Sequence, residues 1–146
     1  MWGGRHLTRE EILSLLEKAK VARFCSLNND GTIHAAPVWF KYENGNIVIG
    51  TPASSRKARN VRRNKNVSIL IDVGAPQIRG VLIYGAAETM ELCSESEVKA
   101  MALSICEKYM PKEKIKDQWR VVCPPTTSWL KVTVKPKRMA SFDYSG

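Results

Sequence analysis

The most chemically loaded stretch of the sequence is Thr51-Pro52-Ala53-Ser54-Ser55-Arg56-Lys57-Ala58-Arg59-Asn60-Val61. A strand ends at Gly50-Thr51, hydroxyl side chains follow, and a helix then opens with two cations in its first turn. Free N–H groups and positive dipole potential at a helix N-terminus favour an anion there and disfavour cations. Arg56 and Lys57 at that end need compensation, which a bound dianionic phosphate supplies, with the Thr51 and Ser55 hydroxyls as neutral donors. The competing account of the same residues is a solvated basic helix face.

Other residues with chemical potential are more scattered. Cys25, Cys93, Cys106 and Cys123 contain no C-x-x-C pair and no histidine at ligand spacing, so no metal site is expected. Cys106 falls on the apolar face of a helical pattern, as a reduced, buried thiol does in a reducing cytoplasm. His34, Lys41, Trp39 and Phe40 sit on one strand, where Trp39 and Phe40 point to opposite faces. None of these is marked as an acid or base, so no catalytic residue is assigned. Arg59, Arg62 and Arg63 share a helix face at i, i+3, i+4 and read as solvent-facing.

Twenty-three Lys and Arg against 14 Asp and Glu leave a net charge of +9, which favours phosphate-bearing partners. A nucleic-acid binder adds exposed aromatics or a recognition helix, and Arg56–Lys65 contains no Trp, Tyr or Phe. No apolar run approaches the roughly 18 residues of a membrane helix, and Met1–His6 lacks the apolar core of a secretory signal. The expectation is a soluble cytoplasmic protein that does not engage membrane.

The elements that must position this chemistry follow from periodicity and turn residues. Thr8-Arg9-Glu10-Glu11 is a capping box, and Ile12, Leu15, Leu16 and Ala19 continue it as an amphipathic helix. Val21–Leu27 reads as a strand, Asp30-Gly31 as a hairpin turn, and Thr32–Tyr42 as the return strand, closed by Asn44-Gly45 before Ile47–Gly50. Pro37 cannot donate to a sheet ladder and confines its strand to an edge or a bulge. A basic helix, Ser54–Asn64, precedes Val67–Ile71, and Ile78–Met90 is a long strand. Ser94-x-x-Glu97 opens the longest helix, which Pro111 stops. A polar stretch through Pro124-Pro125 leads to Trp129–Val134, and Met139–Tyr144 is a last extended piece. The chain reads as a single domain spanning residues 1–146, α+β, with six or more antiparallel strands and about three helices around a curved sheet or barrel.

The order of these pieces resembles the pyridoxamine 5′-phosphate oxidase-like, FMN-binding split-barrel family. The pieces are Thr51, Ser55-Arg56-Lys57, Asn64-Lys65-Asn66-Val67-Ser68-Ile69-Leu70 and Arg79–Glu88, together with the Asp30-Gly31 hairpin and Pro37-Val38-Trp39. The resemblance implies an antiparallel split β-barrel and FMN as cofactor. It implies that Thr51 and Ser55-Arg56-Lys57, following Gly50, hold the FMN phosphate. Ala36, Pro37, Val38 and Trp39 would lie along the isoalloxazine, and Trp129 would reach the flavin from a partner subunit. A homodimer with two flavin sites at its interface follows from the same likeness.

Three positions depart from the oxidase pattern. Ala36 stands where oxidases begin the flavin-facing strand with Arg, and Gly80 stands where they carry a ring-contacting Gln. The substrate-gripping strand with Arg and His is not matched before Gly146. The expected function is therefore a flavin-dependent oxidoreductase of unknown small-molecule substrate rather than a pyridoxamine-phosphate oxidase. The alternatives are a deazaflavin-dependent reductase, a non-enzymatic flavin carrier or redox sensor, and a nucleic-acid-binding module.

Overall fold

The computed structural model describes residues 4–74 and 76–145. In chain order the elements are α1 (Arg9–Lys18), β1 (Ala22–Leu27), β2 (Ile33–Val38), β3 (Lys41–Glu43), β4 (Asn46–Pro52), α2 (Arg56–Arg63), β5 (Asn66–Val73), β6 (Arg79–Leu92), α3 (Glu95–Cys106), α4 (Lys112–Val122) and β7 (Trp129–Asp143). All seven strands form one sheet in the order β2-β1-β5-β6-β7-β4-β3, antiparallel at every described pairing.

The local signals act as expected. Thr8 Oγ1 accepts from the Glu11 N–H while the Glu11 carboxylate accepts from the Thr8 N–H, closing the capping box of α1. Asn44 and Gly45 both have positive φ, 51° and 80°, as the tight turn between β3 and β4 requires. Ser94 caps α3 by accepting from the Glu97 N–H.

The sheet is open but strongly curled, and the reason lies in one short connection. β2 and β3 occupy opposite edges of the sheet, yet only Trp39 and Phe40 separate them in the chain. Three Cα–Cα steps span at most about 11 Å, whereas the edges of a flat seven-stranded sheet would stand about 29 Å apart. The sheet must roll until its edges nearly meet. The result is an α+β split barrel. Pro37 lies on the edge strand, where its missing N–H costs no ladder bond.

Inside the barrel, alternate residues of the strands form one apolar core: Phe24, Ile47, Ile49, Ile69, Ile83 and Val132 are among its fully buried members. α1 closes the barrel with Leu15 and Leu16. The seam between the edges is sealed from outside. Phe40 is 0% exposed; its N–H donates to Tyr109 Oη (2.9 Å), and that hydroxyl donates to the Phe40 carbonyl (3.3 Å). One phenol thus replaces ladder bonds that the split removes. Trp39 stacks on the same ring at 4.3 Å and 6°. Lys108 Nζ sits 3.4 Å above the Phe40 ring and donates to the Leu16 carbonyl at the end of α1 (3.0 Å).

Three features differ from the sequence expectation. The return strand does not run from Thr32 to Tyr42; it breaks at Trp39-Phe40, where the chain crosses from one edge to the other. The two C-terminal pieces are one 15-residue strand, β7, because the ladder shifts register at Tyr84/Gly85, opposite Pro136. A Cβ on Gly85 would lie 2.7 Å from the Lys135 carbonyl oxygen, so the glycine makes room for this bulge. Among the described residues there is a fourth helix beyond the expected three or so: the stretch after Pro111 is α4, which buries Ile115 and Trp119 against α3.

Burial pushes the Lys108 ammonium down to about 8, aided by neighbouring Lys20 and opposed by Glu17. The unfolded chain therefore holds a proton on Lys108 between about pH 8 and 10.4 that the folded chain has released. Stability contributed at this site rises with pH over that window. The stability of the wild type relative to Lys108→Met is expected to increase from pH 8 toward pH 10, read by thermal melts of both proteins. A pH-independent difference would rule out the desolvated ammonium at the seam.

Candidate functional site

β4 delivers Thr51 to the barrel rim, and the chain turns through Pro52–Ser55, with the Ser55 N–H donating to the Pro52 carbonyl (2.9 Å). Ser55 is the N-cap of α2: its Oγ accepts from the Ala58 N–H (3.1 Å) and is hydrogen-bonded to Thr51 Oγ1 (2.7 Å). The Arg59 N–H returns to the Ser55 carbonyl. This leaves the N–H groups of Arg56 and Lys57 as first-turn donors without an intrahelical acceptor. α2 has no acidic residue in its first turn. Its N-terminal potential is therefore uncompensated by its own side chains.

A cleft of about 240 Å³ lies beside this corner. Pro37, Val38 and Trp39 line it from the end of β2, Gly50 and Thr51 from β4, Lys57 from α2 and Trp129 from β7. The sequence-designated residues of four separate elements thus converge on one space. Its remaining wall is apolar, from Ala102, Ile105 and Cys106 of α3 and from Val122 and Cys123 at the end of α4. Lys57 brings the cleft its one basic side chain among the described residues. Burial lowers the pKa of its ammonium, and it makes no hydrogen bond or ion pair with any described residue.

The other designated residues stand differently. Ser55 backs Thr51, which is only 1% exposed. Arg56 is exposed and lies outside the cleft lining, on the side of the β1–β2 turn, where the Asp30 carboxyl is held below its usual range chiefly by its hydrogen bonds from Thr32 and to a lesser degree by the Arg56 charge. Ala36, on β2, pairs with Phe24 of β1 and does not line the cleft. His34 also lies outside the lining, opposite Ser26. Lys41 is occupied, donating to Ser104 Oγ (2.9 Å) and pairing with Glu107.

Gly80 has no room for a longer residue, because a Cβ there would lie 2.7 Å from Phe142 Cζ and 2.9 Å from the Ile71 carbonyl oxygen. Gly50 has a similar meaning: a Cβ there would lie 2.6 Å from Met101 Cε, so α3 packs directly on β4 beside the cleft.

Sequence reasoning missed the α3–α4 wall and the anchoring of α2. Arg62 and Arg63 do not simply face solvent. Arg62 Nη1 donates to the Ala53 carbonyl (2.6 Å) and Arg63 Nη2 to the Leu27 carbonyl. The spacing of Ile115, Trp119 and Val122 at i, i+4, i+7 is the signal that could have revealed α4. Cys106 and Cys123 are buried thiols whose pKa burial raises, that of Cys123 to about 11. They are held protonated and unreactive at neutral pH.

The sequence matches the family described as pyridoxamine 5′-phosphate oxidase over residues 8–135. None of the curated proteins matches it. Among solved structures, the conserved hypothetical protein Rv2991 of Mycobacterium tuberculosis is similar at 24% identity and TM-score 0.77, covering 94% of this chain and 85% of that one. A FAD-binding protein of Mesorhizobium loti is similar at 18% identity and TM-score 0.70, covering 99% and 100%. A structure described as an F420 reductase is similar at 16% identity and TM-score 0.66, covering 90% and 98%. These likenesses show a shared fold. No described helix is long and apolar enough to cross a membrane.

Trp129 is 7% exposed and packs in the α3–α4 cluster of its own chain, its indole N–H donating to the Pro124 carbonyl (2.9 Å). Trp129→Ala is expected to destabilise the fold by about 3–5 kcal/mol, as truncation of a buried Trp does, read by urea denaturation. A loss below about 1 kcal/mol would show that the indole is not a structural member of the cleft wall.

Proposed function

The chain belongs to the pyridoxamine 5′-phosphate oxidase family, and we propose that its cleft binds FMN and that the protein is a flavin-dependent oxidoreductase acting on a small molecule. The observation that carries this reading is Lys57. It is a partly buried ammonium without an anionic partner among the described residues, set at the first turn of a helix that itself favours an anion.

The residues present fit such a group. Lys57, the free first-turn N–H groups and the Thr51–Ser55 hydroxyl pair would hold the phosphate. Pro37, Val38, Trp39 and Trp129 would flank the apolar ring, whose chemistry when bound is hydride transfer at N5. Trp39 is held by its stack on Tyr109, so it presents a fixed face to the cleft. The apolar wall from α3 and α4 excludes water from that side. The lining brings neither carboxylate nor imidazole from the described residues, so proton exchange is left to solvent or substrate. Vitamin oxidation of the parent type is not proposed, since Ala36 offers no guanidinium and the space at Gly80 is filled by Phe142.

A second copy of this chain completes the site in this reading. At about 240 Å³ the cleft is smaller than the roughly 300–1,000 Å³ usual for small-molecule sites. Pro37 joins it to the outer face of the sheet. There the register aligns Arg23, Leu70, Leu82 and Ala140 in one row and Cys25, Ser68, Tyr84 and Arg138 in the next. Ile33 on this face is 71% exposed, and a groove of about 550 Å³ runs between Leu27, Ile33, Leu82 and Tyr84. A solvated sheet face is normally polar. A mainly apolar groove with Arg23 and Arg138 on the same face, on the sheet next to an incomplete cleft, fits a two-fold partner.

Lys57→Ala is expected to lower FMN affinity about ten- to a hundredfold, the worth of a charge-assisted contact, while riboflavin affinity stays unchanged. Fluorescence titration of both ligands measures it, and mass spectrometry of the co-purified chromophore separates FMN from a deazaflavin. Equal affinity for FMN and riboflavin in the wild type would overturn the phosphate site.

Leu82→Asp, on the sheet face, is expected to give a monomer with weakened flavin binding by analytical ultracentrifugation and titration. A monomeric wild type with full FMN affinity would refute the shared site.

A further inference from the structure

α2 begins with two cations and no acid, an arrangement that works against its own first turn. Something else must fix where this helix starts and how it is rotated. Its buried face holds Ala58 and Val61, which can slide and turn against a core, and one polar residue, Asn60, 2% exposed.

A buried amide is costly unless it is hydrogen-bonded, and this one is. Asn60 Nδ2 donates to Ser26 Oγ (3.0 Å) and to Asn28 Oδ1 (3.0 Å), and its Oδ1 accepts from Arg63 Nη2 (3.1 Å). Ser26 is itself buried at the end of β1. Asn28 opens the β1–β2 turn, where its N–H and its Nδ2 are both tied to Thr32. The partners are therefore rigid, and directional bonds to them set both the axial rotation and the height of α2.

Asn60 stands three residues beyond Lys57 and four beyond Arg56, one helical turn from the start of α2. Its tether turns that helix so that Lys57 lines the cleft while Arg56 lies outside it. We propose that Asn60 is a positioning residue: its hydrogen bonds to Ser26 and Asn28 aim the first turn of α2, and with it Lys57, at a phosphate-class anion in the cleft. This inference rests on the phosphate site proposed above.

The test is a pair of titrations, FMN and riboflavin, on the wild type, Asn60→Ala and Asn28→Ala, with thermal melts in parallel. FMN preference over riboflavin is expected to fall about tenfold in Asn60→Ala and about threefold in Asn28→Ala, since charge-assisted contacts weaken when misplaced. Riboflavin affinity should stay within about twofold. Should Asn60→Ala fail to fold, Asn28→Ala decides, because it removes one acceptor of Asn60 and one side-chain bond to Thr32 from a partly exposed turn. A preference unchanged in the folded variants, or both affinities falling together, would overturn the positioning role and leave the phosphate site standing. A wild type without any preference would overturn the phosphate site and this inference with it.

Discussion

Trp39 and Phe40 are the whole length of chain between two strands at opposite edges of a seven-stranded sheet, and the rest of the structure answers to that constraint. A tether of about 11 Å cannot cross a flat sheet, so the strands coil into a barrel with one unpaired seam. The seam then creates a problem of its own, because a buried peptide there would lack partners. Tyr109 supplies them at both the N–H and the carbonyl of Phe40. The α3–α4 unit is consequently part of the barrel's closure as well as a flanking layer.

That closure builds the candidate site. The helices that bring Tyr109 to the seam also bring Ile105, Cys106 and Cys123 to the space beside Trp39. Met101 reaches the backbone of β4 because position 50 is a glycine. An apolar wall therefore faces a corner where α2 begins. The contrast between the two sides would suit the proposed amphiphilic ligand, with its anion at the α2 end and its apolar part against α3 and α4.

Holding a cationic helix start beside an apolar wall is electrostatically unfavourable in the free protein. Polar contacts around α2 offset part of it. Asn60 binds β1 and its turn, Arg62 holds the Ala53 carbonyl, and the Ala53 N–H is tied to Ser128. These bonds join the segment that would meet a phosphate to three separate parts of the chain. The remaining charge imbalance at Lys57 is what an anion would relieve.

The hairpin turns, the capping boxes and the alternation of apolar residues were legible in the sequence because each depends on neighbours a few residues away. Gly31 and Gly45 adopt positive φ where a tight turn demands it, and Thr8 and Ser94 cap α1 and α3 as their spacing to Glu11 and Glu97 implies. The order of those pieces also carried the family, and with it the segment from Thr51 to Lys57. The crossing at Trp39-Phe40 was not legible, since alternation runs smoothly through it and only sheet order separates one edge from the other. Pro136 reads locally as a strand end; the bulge that lets β7 continue depends on Gly85 of another strand. Lys57 and Arg56 are neighbours of equal charge in the sequence. Which of them meets the cleft depends on the rotation of α2, which in the proposed tether is set through Asn60 by Ser26 of β1 and Asn28 of the turn that follows, more than thirty positions away.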